Sequence, residues 1–206
     1  MRHEPIHKVF ISYHHSLDQN YKNYLVQIGD EYEIFLDRSV DTGEISDDLS
    51  DESIRRKIRD EYLRDSTVTI LLVGLETKRR KHIDWEIYSS MIDGQVNKKS
   101  GILVVNLPST GNTLCTAPHS GEKEAVYPKI KSWVDVDSRA EYERRYPYMP
   151  DRVIDNLLRR EAKVSVTPWS KIENNPGVLR FLIDAAFEDR GKCEYDLSRP
   201  MRRVNS

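Results

Sequence analysis

The sequence predicts a flavodoxin-like α/β fold of three layers, a central parallel sheet of about five strands in the order 2-1-3-4-5 with helices on both faces. Three observations predict it. Short runs that are apolar almost throughout, above all Val68, Ile70, Leu71, Leu72 and Val73, suit strands covered on both faces. Between those runs the apolar residues recur with helical period, so strands and helices alternate along the chain. There is no internal repeat or low-complexity tract to suggest another architecture.

The first strand is read at Val9, Phe10, Ile11, Ser12 and Tyr13. Ser16 and Gln19 have capping-box spacing, and Tyr21, Tyr24, Leu25 and Ile28 follow at i, i+3, i+4, i+7, so a helix is expected up to about Gly29. Glu33 to Leu36 reads as a brief second strand, and the polar, acidic stretch from Asp37 to Asp51 as a long loop. Ser50 caps a second helix with Asp51 and Glu52 in its first turn and Ile54, Ile58 and Tyr62 on one face. Thr67 to Gly74 is the third strand. After the basic run Lys78 to Lys81, a helix carries Ile83, Ile87, Ser90 and Met91 and stops near Gly94. Gly101 to Leu107 is the fourth strand. Residues 108–150 mix prolines, glycines and charges and give no secure pattern, so they read as an irregular insertion. Val153, Ile154, Leu157 and Leu158 suggest a short helix and Lys163 to Thr167 a last strand. Asn175 before Pro176 is an N-cap with proline at the first helical position, and Leu179, Leu182, Ile183, Ala186 and Phe187 form the inward stripe of a final helix ending at Gly191. The Arg-rich residues 192–206 read as a loosely held tail.

A length of 206 residues suits one domain, 1–206. With 38% hydrophobic and 32% charged residues there is material for a core and a heavily charged, soluble exterior. The formal charge of −2 gives no global field toward nucleic acid or an anionic membrane, so neither is expected as a partner. Cys115 and Cys193 lack CxxC spacing, which argues against a disulfide framework or a zinc site. The polar Met1 to Lys8 and the lack of any bilayer-length apolar stretch lead to the expectation of a cytoplasmic protein.

In the order 2-1-3-4-5 the segments leaving the first and third strands flank one crevice, where ligands of such sheets bind. The residues after the first strand, Ser12-Tyr13-His14-His15-Ser16, contain no GxGxxG, and the chain has no P-loop, receiver-type aspartate or GxSxG elbow. What remains is Glu86, near the start of the helix after the third strand, i+3 from Ile83 and four before Ser90, at the margin of the buried stripe. On pattern alone it reads first as a solvated carboxylate in a helix's first turn. Pointed into the crevice, its charge would stabilise cationic character in a sugar, as in glycosidic cleavage through an oxocarbenium-like transition state.

The segments Lys8-Val9-Phe10-Ile11-Ser12-Tyr13-His14-His15, Phe35-Leu36-Asp37, Thr67 to Gly74 and Trp85-Glu86-Ile87, in this order and spacing, resemble the TIR-like family that includes the Thoeris antiphage TIR proteins. The resemblance covers roughly the first half of the chain. It implies a TIR-like fold that cleaves NAD as substrate, with no separate cofactor, releasing nicotinamide and leaving ADP-ribose or a cyclic ADP-ribose-type signal. In such systems the diffusible nucleotide activates a separate effector protein, and a phage-derived trigger is a possible activator. By motif position Glu86 matches the catalytic glutamate, and Phe10, Ser12 and Tyr13 the substrate pocket, with His14 and His82 beside it. The loop containing Asp37, Asp41 and Gly43 matches the one through which TIR surfaces self-associate. The sequence departs from the family in one place: many enzymatic TIR domains carry Trp four residues before the glutamate, where this chain has His82, and Trp85 stands adjacent instead. The alternative that this departure leaves open is a non-catalytic TIR-like assembly module.

Three further features carry two readings each. Lys78 to Lys81 is either a solvated turn or a pyrophosphate grip. His14 and His15 read as a metal pair or as polar crevice lining; as neighbours in an extended segment they diverge and chelate poorly, so lining is favoured and no metal is expected. Tyr142, Tyr146 and Tyr148 beside Arg144 and Arg145 either stack bases or, as favoured here, pack under a long loop.

Overall fold

The computed structural model describes residues 6–39, 49–94 and 97–205. Among them are β1 (His7–Ser12), β2 (Phe35–Asp37), β3 (Val68–Val73), β4 (Gly101–Asn106) and β5 (Ser165–Pro168), all parallel and in the order β2-β1-β3-β4-β5. The flavodoxin-like order expected from the sequence is therefore the one the chain adopts. Helices α1 (His15–Glu31), α2 (Asp51–Lys57), α3 (Lys81–Ser90), α4 (Glu122–Val126), α5 (Arg139–Arg145), α6 (Asp151–Leu157), α7 (Trp169–Ile172) and α8 (Pro176–Asp189) surround the sheet.

Alternation along each strand separates two apolar layers. Val9, Ile11, Ile70, Leu72, Leu103 and Val105 face α1 and α8, which supply Leu25, Ile28, Leu179, Leu182 and Ile183. Gly101 lets α8 lie directly on β4, because a Cβ there would collide with the Ala186 carbonyl. On the opposite face Leu71, Val73, Ile102 and Val104 meet Ile83 and Ile87 of α3 and Val153 and Ile154 of α6. A smaller cluster on this side joins Phe10, Ile54, Ile58, Leu63, Trp85 and Met201.

Local signals place several elements as expected. Ser50 caps α2 by accepting the Ser53 N–H at 3.2 Å, and Asn175 caps α8 by accepting the Val178 N–H at 3.3 Å, with Pro176 at the first position. Elsewhere packing overrides them. The N-cap of α1 is His14, with no side-chain cap, rather than Ser16; Gln19 instead accepts the Tyr13 hydroxyl at 2.7 Å. Nor does Gly29 end α1. It lies inside the helix, where a Cβ would come within 2.7 Å of the Phe35 ring. β2 starts later than expected because Glu33 sits at φ 51°, a left-handed conformation no strand accommodates. The same applies to β5 and Lys163 at φ 46°. The face expected from Ile54, Ile58 and Tyr62 is split by a wider, π-type turn over Ile58–Tyr62 after α2.

Residues 108–150, unplaced by pattern, contain α4 and α5 and an antiparallel bridge between Thr116 and Val166. Tyr142 and Tyr146 are buried and stacked, 6.4 Å between centroids, so they serve packing. The tail corrects the expectation of a loosely held segment. Its backbone carbonyls satisfy a fully buried guanidinium: Arg152 forks onto Asp84 at 2.9 and 3.0 Å and donates to the Arg199 and Pro200 carbonyls at 2.9 and 3.1 Å. The Arg202 N–H donates to Asp84 at 2.8 Å, and Met201 is buried in the cluster with Phe10 and Trp85. Among the described residues, no helix is long and apolar enough to cross a membrane.

Candidate active site

β1 and β3 lie side by side, Ser12 opposite Leu71, and their carboxyl ends open at the switch point of the sheet. Phe10 and Ser12 alternate onto the face that α3 covers. The seat of α3 is polar and specific: Thr69 and Ser90 share a hydrogen bond of 2.8 Å between their hydroxyls, and Ser90 donates to the Glu86 carbonyl at 2.8 Å. With Ser89 and Ser90 fully buried and small, the helix approaches closely and carries Glu86 over β1. There the Ser12 hydroxyl donates to Glu86 Oε2 at 2.6 Å.

Glu86 is only 4% exposed, so it is not the solvated helix-start carboxylate that pattern alone favours. Burial pushes its carboxyl up to about 7, and the Ser12 hydrogen bond works in the opposite direction by favouring the charged form. A carboxyl poised there is half ionised near neutrality. Such a group is a candidate for chemistry, since an ordinary surface glutamate at that pH carries a fixed charge.

The other residues singled out from the sequence lie at unequal distances from this pair. Phe10 shares its face of β1 and is buried against Trp85 and Met201. Tyr13 points to the opposite face, packing in the layer of α1 and α8 and stacking on His15 at 4.4 Å. His14 leaves the strand half-buried with Nδ1 lacking a hydrogen-bond partner; burial, then the charge of Arg80, holds its imidazole below the usual range. His82 precedes Glu86 by one helical turn and sets its ring edge-on to Trp85 at 4.9 Å. Trp85 is fully buried, its indole N–H on the Arg202 carbonyl at 2.6 Å. Asp37 accepts the Ser39 N–H at 2.8 Å and pairs with Lys22 at 2.8 Å; Asp41 and Gly43 lie outside the described residues.

Two groups at the strand ends carried no sequence signal. Asp18, in the first turns of α1, is 3% exposed with its carboxylate in the space a Gly74 side chain would fill, and burial pushes it up to about 6. Glu122 is also buried and pushed up to about 7, but it accepts one bifurcated bond from the Ser165 hydroxyl, at 2.8 and 2.9 Å to its two oxygens, and one from the His119 N–H at 3.1 Å. That carboxylate clamps α4 to β5 at the far edge of the sheet. Among the described residues, no three His, Cys, Asp or Glu side chains gather to hold a metal ion. Two clefts of about 240 and 310 Å³ open beside the β3 exit, and neither is lined by Glu86 or Ser12.

No curated protein and no solved structure matches the chain. The family model described as Thoeris protein ThsB, TIR-like domain, matches residues 10–112, half of the chain, a span that holds β1 to β4 together with Ser12 and Glu86. The chain belongs to the Thoeris ThsB TIR-like domain family.

Proposed function

We propose that the protein is an antiphage-defence enzyme that cleaves the nicotinamide–ribose bond of NAD, with Glu86 as the catalytic carboxylate. The observation that carries this reading is the buried 2.6 Å contact of Ser12 and Glu86 at the carboxyl ends of β1 and β3, inside the family-matched span. Nicotinamide leaves NAD as a neutral molecule, taking the electron pair of the C1′–N bond, so departure needs no general acid. It leaves positive charge on the ribose, which an ionised Glu86 in a water-poor site stabilises far more than bulk water does. Ser12 holds the carboxylate in place and keeps part of it ionised. Attack by water on C1′ gives ADP-ribose; attack by a nucleophile of the same molecule gives a cyclic ADP-ribose-type signal for a separate effector.

With Glu86 so little exposed, the ribose reaches it only when the β1 and β3 exits part. Self-association through TIR surfaces and a phage-derived trigger are the proposed opening events. The test is nicotinamide release from NAD, followed by chromatography, for wild type and Glu86→Gln with and without an extract of infected cells. Release by wild type alone supports the reading, and equal release by both proteins removes Glu86 from it.

One observation favours a second reading, a non-catalytic assembly module: Trp85, next to the glutamate in sequence, is fully buried on the tail rather than lining an open pocket. That reading predicts no release by either protein under any condition, and loss of self-association on substituting the loop that follows Asp37.

A further inference from the structure

The two clefts beside the β3 exit are neighbours, both lined by Lys78 and Arg202, and together make a groove around these two cations. It lies on the other flank of α3 from Glu86. Asp84, which lines it, is two residues from Glu86, about 200° around the helix, and faces Arg152 of α6 where Glu86 faces Ser12 of β1. Much of the groove comes from outside the family-matched span: Pro147, Tyr148, Arg199 and Arg202.

Its charge is unbalanced. Asp84 is consumed by the bidentate Arg152, which leaves Asp151 as the groove's other carboxylate. That one group is shared by Lys78 at 3.3 Å, Arg139 at 3.4 Å and Arg202 at 3.6 Å. Asp155 takes Arg139 and Arg199, Arg139 also pairs with Glu143 at 2.7 Å, and Glu76 is shared by Arg79 at 3.3 Å and Arg80 at 3.8 Å. Among the described residues lining the two clefts, Lys78, Arg79, Arg199 and Arg202 are cationic, against Asp151 and the Arg152-bound Asp84. In the second cleft Leu75, Pro147 and the half-buried Tyr148 stand beside Lys78, Arg79 and Arg202.

Guanidinium and ammonium groups along a cleft, with an aromatic ring beside them, fit phosphates joined to a planar base. We infer that this groove is a second, non-catalytic site for a pyrophosphate-bearing nucleotide, its phosphates on Lys78, Arg79 and Arg202 and its base against Tyr148. A site so placed couples nucleotide binding to the tail, since Arg202 also supplies the N–H on Asp84 and the carbonyl on Trp85.

Calorimetric titration of the full chain with ADP-ribose tests this. The probe lacks the nicotinamide bond, so the result is separate from whether Glu86 cleaves it. Saturable binding is expected, weakened about tenfold by Lys78→Ala or by Arg79→Ala. Tyr148→Ala weakens ADP-ribose but leaves inorganic pyrophosphate unchanged, and Glu86→Gln changes neither. Arg79 is 63% exposed, so its variant keeps the fold, and a matching thermal melt verifies this. An absence of saturable ADP-ribose binding by wild type overturns the inference. So does affinity untouched by both cation variants, or affinity abolished by Glu86→Gln.

Discussion

Replacing Glu86 by glutamine removes an ionisation that burial opposes and keeps an oxygen for the Ser12 hydroxyl. The folded carboxyl titrates at about 7, against an ordinary value of 4.5 that the unfolded chain retains. Between those values the folded protein holds more protons than the unfolded chain, so stability is fully present below 4.5 and is lost as pH rises through 7. At about 1.4 kcal/mol per pH unit the loss is on the order of 3 kcal/mol. Glu86→Gln does not suffer it. The two proteins should match within about 0.5 kcal/mol near pH 4.5, and the variant should be more stable by on the order of 3 kcal/mol at about pH 8, melting roughly 6–12 °C higher. Urea unfolding at a series of pH values, followed by the fluorescence of the three tryptophans, of which Trp85 and Trp169 are buried, reads the difference. Glu122 imposes a similar slope on both proteins and cancels. A stability difference that does not change with pH, or a variant less stable than wild type at about pH 8, refutes the argument that burial holds Glu86 near neutrality.

Three further substitutions probe other links. Ser12→Ala removes the hydrogen bond that favours the ionised carboxyl, and the acid limb of the pH–rate profile for nicotinamide release should move up by about one unit; an unmoved limb contradicts the role given to Ser12. Arg152→Ala leaves the buried Asp84 without its cation, holding only the Arg202 N–H, and strips two tail carbonyls of their donor, costing about 3–5 kcal/mol in urea unfolding. Limited proteolysis should then cut the tail first. Gly101→Ala drives a methyl into the Ala186 carbonyl, and the melting point should fall by an amount equivalent to about 3 kcal/mol; an unchanged melt would mean that α8 does not lie on β4 as described.

Strands β1, β3 and β4 were legible because burial on both faces leaves a continuous apolar run in the chain itself. Helices α2 and α8 were legible because Ser50 and the Asn175-Pro176 pair mark their starts within a few residues. Other features depend on residues distant in sequence. Ser16 has the right neighbours for a cap, but Gln19 is taken by Tyr13. Residues 108–150 are tied by a bridge from Thr116 to Val166, which leaves no periodic trace. An arginine-rich tail looks solvated by composition, yet its carbonyls complete the shell of Arg152. The site divides the same way. Glu86 was found by topology and resemblance, whereas its burial rests on Ser12, 74 residues away, and on the serines that let α3 approach. Asp18 looked like any aspartate in a helix's first turns until Gly74 was placed under it.

The central claim is that Glu86 breaks the nicotinamide–ribose bond of NAD during infection. The most direct measurement is mass spectrometry of small molecules from infected and uninfected cells expressing wild type or Glu86→Gln at equal levels. The account predicts that NAD falls and nicotinamide with an ADP-ribose isomer rises only in infected cells carrying wild type. An identical nucleotide profile for the two proteins in infected cells would contradict it.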